Sequence, residues 1–227
     1  TFRKMMASKY NRTDGDIKNA VNEWCKNPTT ATIKYGHISK WNTSLVTNMK
    51  ELFKYKREFN DDISKWDVSS VTNMDSMFSY TPFNGDISGW NVSSVTNMNT
   101  MFSNTPFNGN ISGWNVSSVT NMGAMFSISA FNGDISGWDV SSVTDMRQMF
   151  YQTPFNGDIS EWDVSSVTNM GGMFSNTSFN GDISGWNVSS VTNMEHMFYQ
   201  TPFNGDISGW KIQDSCATND MFDECPI

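Results

Sequence analysis

The phrase Asn-Gly-Asp-Ile-Ser-Gly-Trp returns, lightly edited, every 24 residues along most of this chain. It sets Trp66, Trp90, Trp114, Trp138, Trp162, Trp186 and Trp210 each 24 apart, with Trp41 one residue out of step. A fixed period of about 20 to 50 residues marks a solenoid, because one such unit is too thin to bury its own apolar side. The 227 residues therefore read as one elongated domain rather than two globules. The expected organisation is a helical N-terminal cap over 1–35, about seven 24-residue repeats over 36–210 and a degenerate capping turn over 211–227.

One unit, residues 59–82, carries the pattern. Ile63, Trp66, Val68 and Val71 form an apolar comb that matches a leucine-rich repeat. Alternation over Trp66-Asp67-Val68-Ser69 predicts a short strand with Trp66 and Val68 inward and Asp67 and Ser69 outward. Met74, Met77 and Phe78 lie at i, i+3 and i+4, the spacing of a helical turn, with Thr72 placed as its N-cap. Thr81-Pro82 ends that turn, Phe83 returns to the core, and Asn84-Gly85 makes the next bend. The fold class expected is a leucine-rich-repeat-like solenoid, with a short parallel strand and a helical turn per coil. The Trp column could serve as a sugar platform, but its alternation with Val assigns it to the core. The paired methionines, such as Met74 with Met77, are adaptable core filler.

The ends differ. Ile17, Ala20, Val21 and Trp24 fall at i, i+3, i+4 and i+7, so an amphipathic helix is expected there. Asp14 or Asp16 stands ready to cap it, and Asn27-Pro28 stops it; Phe2, Met5 and Met6 suggest a shorter helix ahead. After Trp210 the pattern decays but can be followed, with Cys216 at the Thr position and Met221-Phe222 at the Met-Phe pair. Cys216 and Cys225 are a candidate disulfide closing the last turn, the alternative being two reduced thiols. No Cys-x-x-Cys pair suggests zinc.

Charge is unevenly placed. Residues 1–65 hold 13 of the 15 Lys and Arg against 7 acids, a balance of +6. Residues 66–227 hold only Arg147 and Lys211 against 16 acids, a balance of −14. A long acidic surface argues against nucleic acid, which needs basic residues along its path. A basic head on an acidic body instead suits head-to-tail self-association. No apolar run approaches the ~20 residues of a membrane-spanning helix. The chain opens on Thr1 without an apolar leader, which reads as a processed form or a fragment.

The polar columns offer sites. Asp62, Asp86, Asp134, Asp158, Asp182 and Asp206 recur at one position, with Asn110 standing in once. They either cap their own bends or hold Ca²⁺ between turns; no other cofactor is expected. The Asn60, Asn84 and Asn108 column reads as a ladder of bonds to backbone. Thr72, Thr96, Thr120, Thr144, Thr168 and Thr192 read first as caps, and alternatively as an ice-binding ladder. The outward Asp67, Asn91, Asn115, Asp139, Asp163 and Asn187, together with the variable Arg147, Gln148, Tyr151, Glu195 and His196, form the candidate binding surface. Sequons occur at Asn11, Asn42, Asn91, Asn115, Asn176 and Asn187, and Asn/Asp interchange explains three of them. No catalytic constellation surrounds His37 or His196, and every Asn-Gly is a repeat bend rather than a phosphate loop.

The unit Phe-Asn-Gly-Asp-Ile-Ser-Gly-Trp-Asp-Val-Ser-Ser-Val-Thr-Asn-Met-x-x-Met-Phe resembles the BspA-like surface repeat proteins, the DUF285 repeat group. Ala20-Val21-Asn22-Glu23-Trp24 leading into Tyr35-Gly36-His37-Ile38-Ser39-Lys40-Trp41 is similar to that group as well. The resemblance implies an extracellular or cell-surface leucine-rich-repeat-like protein used in adhesion. The expected function is a non-enzymatic module that binds a protein or glycan through its repeat surface. Self-assembly and ice binding are the alternatives.

Overall fold

The structure is a computed structural model that describes residues 9–226. The helix expected around Phe2, Met5 and Met6 lies outside the described residues. The head comprises strand β1 (Asn11–Thr13), helix α1 (Ile17–Lys26), helix α2 (Pro28–Tyr35) and strand β2 (Asn42–Leu45), with β1 parallel to β2. Helix α1 buries Ile17, Ala20, Val21 and Trp24, the stripe its spacing predicts.

Neither Asp caps α1, contrary to the sequence reading. Asp16 sits at the N-cap, but its carboxylate pairs with Arg12 and accepts the Thr13 N–H. The Asp14 carboxylate instead accepts the N–H groups of Thr47 and Asn48 and the Thr47 hydroxyl, tying the head to the first unit. Asn27-Pro28 ends α1 but also starts α2, since proline suits a first turn and the Asn27 side chain caps the Thr30 N–H. At the end of α2, Gly36 has φ +76, and a Cβ there would stand 2.1 Å from the Tyr10 ring.

Beyond the head, successive units lie side by side in parallel register. Single bridges run Asn48↔Asn73↔Asn97↔Asn121↔Asp145↔Asn169↔Asn193↔Ala217. Around each bridge the backbone divides its hydrogen bonds in alternation. The N–H groups of Met122, Ala124, Phe126 and Ile128 reach sideways to the carbonyls of Asp145, Arg147, Met149 and Tyr151 at 2.7–3.0 Å. The intervening Met125 and Ser127 N–H groups close onto Met122 and Ala124 of their own unit.

Two expectations for the unit are corrected here. The segment expected as a helical turn consists of successive four-residue turns, and no helix lies beyond Lys40 among the described residues. A helix would close every N–H onto its own carbonyls, whereas these turns leave alternate groups free for the neighbouring unit. Their third residues adopt left-handed φ, as at Ser76 (57°) and Tyr80 (60°), the value that such turns require. The segment expected as a strand, Trp66–Ser69, is likewise a turn: Asp67 accepts the Ser69 N–H, and the Val71 N–H closes onto Val68.

The core is a set of columns running across the units. The Ile63, Trp66, Val68, Val71, Met74, Met77, Phe78 and Phe83 positions are all buried, and so are their counterparts through Phe203. Phe126 and the first residue of the following unit, Phe131, stack at 3.9 Å, and the equivalent Phe126 and Phe150 lie 6.0 Å apart. Each indole N–H donates one unit back, as Trp138 Nε1 does to the Ile111 carbonyl at 3.1 Å. The Trp column is therefore core, as its alternation indicated. The Thr81 column is buried as well through Thr201, each threonine hydroxyl donating to the Phe78-type carbonyl and accepting the Phe83-type N–H, while Ser129 only accepts the Phe131 N–H.

Candidate functional site

Most repeated polar side chains are occupied in holding the units together. Each Asn of the Asn60 column accepts the backbone N–H of its successor, as Asn108 Oδ1 does from Asn132. Each Thr hydroxyl of the Thr72 column donates to the preceding Thr carbonyl, as Thr144 does to Thr120 at 3.1 Å. The Thr side chains thus link neighbouring units and cap no helical turn, although they remain exposed. The Asp62 column caps its own bends. Asp134 Oδ1 accepts the N–H and the hydroxyl of Ser136, and these bonds hold its pKa below the ordinary value. Asn110 does the same for Ser112 with an amide oxygen, which explains why Asn substitutes there freely.

What varies from unit to unit faces one way. Four positions, those of Asp75, Ser76, Ser79 and Tyr80, sit on the laddered turns. Toward the head this face is closed by its own side chains. Lys50 pairs with Asp75 at 2.9 Å, and Asp75 also accepts Asn99 and Ser76. Burial pushes the Asp75 pKa up, but the bonds from Lys50, Ser76 and Asn99 outweigh it and hold it low. Arg147 reaches back across Gly123 toward Asn99 while pairing with Asp145.

One unit further on, the face opens. Gly171, Gly172 and Ser175 carry little or no side chain, while Arg147, Gln148 and Tyr151 stand on one side and Glu195, His196 and Tyr199 on the other. The result is an open cleft of about 690 Å³, also lined by Asn176, Asp220 and Asp223. Gly172 has φ +62, and a Cβ on it would touch the Gln148 side chain at 3.2 Å. His196 packs edge-on against Tyr199 at 5.7 Å. Gln152 donates to the Tyr151 hydroxyl, and Asn219 donates to Glu195 at 2.7 Å.

The sequence matches the family described as "Mycoplasma protein of unknown function, DUF285" over residues 19–130 and 127–226, nearly the whole chain. The chain belongs to that family. No curated protein and no solved structure matches it.

Within this DUF285 chain the candidate surface read from the sequence divides in two. Arg147, Gln148, Tyr151, Glu195 and His196 come together around the cleft. Asp67, Asn91, Asn115, Asp139, Asp163 and Asn187 line none of it; each is exposed but caps its own turn, as Asp139 does for Ser141. The sequence reading singled out Gly171-Gly172 as a variable outward pair but missed Ser175 and Tyr199 as site residues. Its available signal was Tyr151 and Tyr199 standing where other units carry Ser79, Ser103 and Ser127.

The two thiols of the candidate disulfide, Cys216 and Cys225, are not bonded to each other in the structure. They occupy different columns, those of Thr72 and Thr81. Cys225 Sγ is engaged by the Phe203 carbonyl and the Thr201 hydroxyl, and Cys216 Sγ faces the Ala217 carbonyl. Burial pushes the Cys25 thiol up to about 11. No group of three metal-ligating side chains occurs among the described residues, and the Asp column offers bend caps in place of a Ca²⁺ cage. No helix among the described residues is long and apolar enough to cross a membrane.

Proposed function

We propose that this protein is a leucine-rich-repeat-like solenoid of the BspA-like kind that acts as a non-enzymatic, secreted or cell-surface adhesion module. It recognises a protein or glycan on its variable face, centred on the cleft over Gly171 and Gly172. The observation that carries this reading is the separation of duties among columns. The repeated positions are buried or hydrogen-bonded within and between units, while the variable ones share one face that is closed near the head and open at the cleft. Both histidines support a non-catalytic role: His37 bonds Ser39 beside Trp24, and His196 leans on Tyr199. The experiment is binding to arrays of glycans and matrix proteins, with Arg147, Gln148 and Tyr151 replaced together by Ala. The reading predicts a wild-type signal that the variant loses while remaining folded. No signal from the wild-type protein, or an equal signal from both, would sink it.

End-to-end self-association is the second reading, favoured by the basic head, +6 over residues 1–65, set against the acidic body, −14 over residues 66–227. Light scattering at low and high salt tests it: a salt-dissociable oligomer supports this reading, and a monomer in both conditions removes it.

A further inference from the structure

Two tyrosines two units apart, with glycines between them, form a slot of defined width. At about 4.8 Å per parallel unit, the backbones at Tyr151 and Tyr199 stand about 10 Å apart. A ring seated midway therefore lies about 5 Å from each, within the ~4.5–7 Å range of ring-to-ring packing. The slot stands open because the intervening unit carries Gly171 and Gly172, where another unit carries Asn99 and Thr100.

The rim selects the kind of ring. Gln148, Asn176, His196, Glu195, Asp220 and Asp223 offer amide, imidazole and carboxylate groups. These planar donors and acceptors match adjacent hydroxyl groups. The charge is one-sided. Arg147 is the one basic side chain lining the cleft besides His196, and its guanidinium is already held by Asp145 and Asn99. Glu195, Asp220 and Asp223 stand against it. A sulfate or uronate would meet uncompensated carboxylates, whereas a hydroxyl or an ammonium would not.

We infer that the cleft over Gly171 and Gly172 is a sugar subsite that clamps one neutral or amine-bearing pyranose ring between Tyr151 and Tyr199. The inference rests on the interaction-module reading above and narrows it to a ligand class. The faces of the ring pack on the tyrosines, and its equatorial groups bond the amides and carboxylates of the rim. An aromatic side chain of a protein partner is the competing occupant, and the test separates the two.

The probes are a β-1,4-linked glucosamine trisaccharide, cellotriose and a sulfated disaccharide, titrated by calorimetry and ligand-observed NMR. Two double variants borrow residues that other units already bear. G171N/G172T copies Asn99-Thr100 and fills the slot; Y151S/Y199S copies Ser103 and removes its walls. Thermal denaturation checks that both variants fold as the wild type does. The expected result is binding of the first two sugars, at least tenfold weaker in each variant, with no binding of the sulfated probe. Sugar affinity unchanged by both variants, or a preference for the sulfated probe, would overturn the inference. If the wild-type protein binds none of the sugars but still binds a matrix protein through this face, the ligand class is wrong and the module reading survives. If it binds no partner of either kind, both fail.

Discussion

Replacing Trp138 with Phe tests the link that each indole makes to the unit before it. Trp138 is 4% exposed, and its Nε1 donates to Ile111 O at 3.1 Å. That carbonyl also accepts the Trp114 N–H, so the substitution leaves no orphaned acceptor. The loss is then the ordinary net value of one hydrogen bond, about 1 kcal/mol, rather than the larger penalty of an unsatisfied group. The smaller ring leaves roughly 40 Å³ unfilled, which adds about 1 kcal/mol at ~24 cal/mol per Å³. Together these amount to about 2 kcal/mol, or a midpoint lowered by about 4–8 °C for a chain of this size. Thermal unfolding followed by far-UV circular dichroism measures it. Because stacked units couple to their nearest neighbours, amide exchange should quicken first in the units containing Ile111 and Trp138. A change within ~0.5 kcal/mol, the usual range of surface substitutions, would refute the claim that the indole ties one unit to the next.

Three further outcomes follow from the structure. Ile128 holds φ +55 with its side chain 44% exposed. Left-handed backbone costs a non-glycine residue about 1–2 kcal/mol, so Ile128→Asn, the residue at Asn104 and Asn176, should be neutral or stabilising by up to ~1 kcal/mol in chemical denaturation; a loss above ~1 kcal/mol contradicts this. Asp134, Asp158 and Asp182 have folded pKa values below the ordinary 3.8, held down by the N–H and then the hydroxyl of the serine two residues on. Depressed carboxylates stabilise the fold above that value, and the contribution is lost as pH falls through their folded pKa values. Changing all three to Asn should therefore flatten the acid limb of stability against pH by removing the contribution of the ionised form; an unchanged acid limb would show that these caps do not titrate with folding. Thiol titration of the unfolded chain should count three free cysteines, with Cys25 resisting alkylation in the folded protein at pH 8 because of its raised pKa. A Cys216–Cys225 bond in the intact mass would contradict the geometry.

The buried columns were legible because apolar identity repeats at fixed positions whatever the backbone does between them. Trp66, Val68, Met74 and Phe78 are buried for the reason their spacing gives. The stripe of α1 and the Asn60 ladder were readable on the same grounds. The conformation linking those positions was not. Apolar residues at i, i+3 and i+4 suit a helical turn and a pair of four-residue turns equally well, and only the hydrogen bonds between units choose the second. The same bonds take up the Thr72 hydroxyls, which a single unit seen alone would assign to a cap. For the cleft, the variable residues Arg147, Gln148, Tyr151, Glu195 and His196 were visible as differences among copies. What makes them a site is the missing bulk at Gly171, Gly172 and Ser175, and that absence counts only once the neighbouring units are set beside it.

On the proposed reading, the repeated columns hold the units together while the variable face does the recognising. The most direct measurement compares the wild-type chain with one whose variable positions at 147, 148, 151, 152, 171, 172, 175, 176, 195, 196, 199 and 200 all carry Asn99, Thr100, Ser103 and Asn104 equivalents. Melting temperature and array binding are read on both proteins. The account predicts an unchanged melting temperature with binding abolished. Retained binding, or a protein that no longer folds, would contradict it.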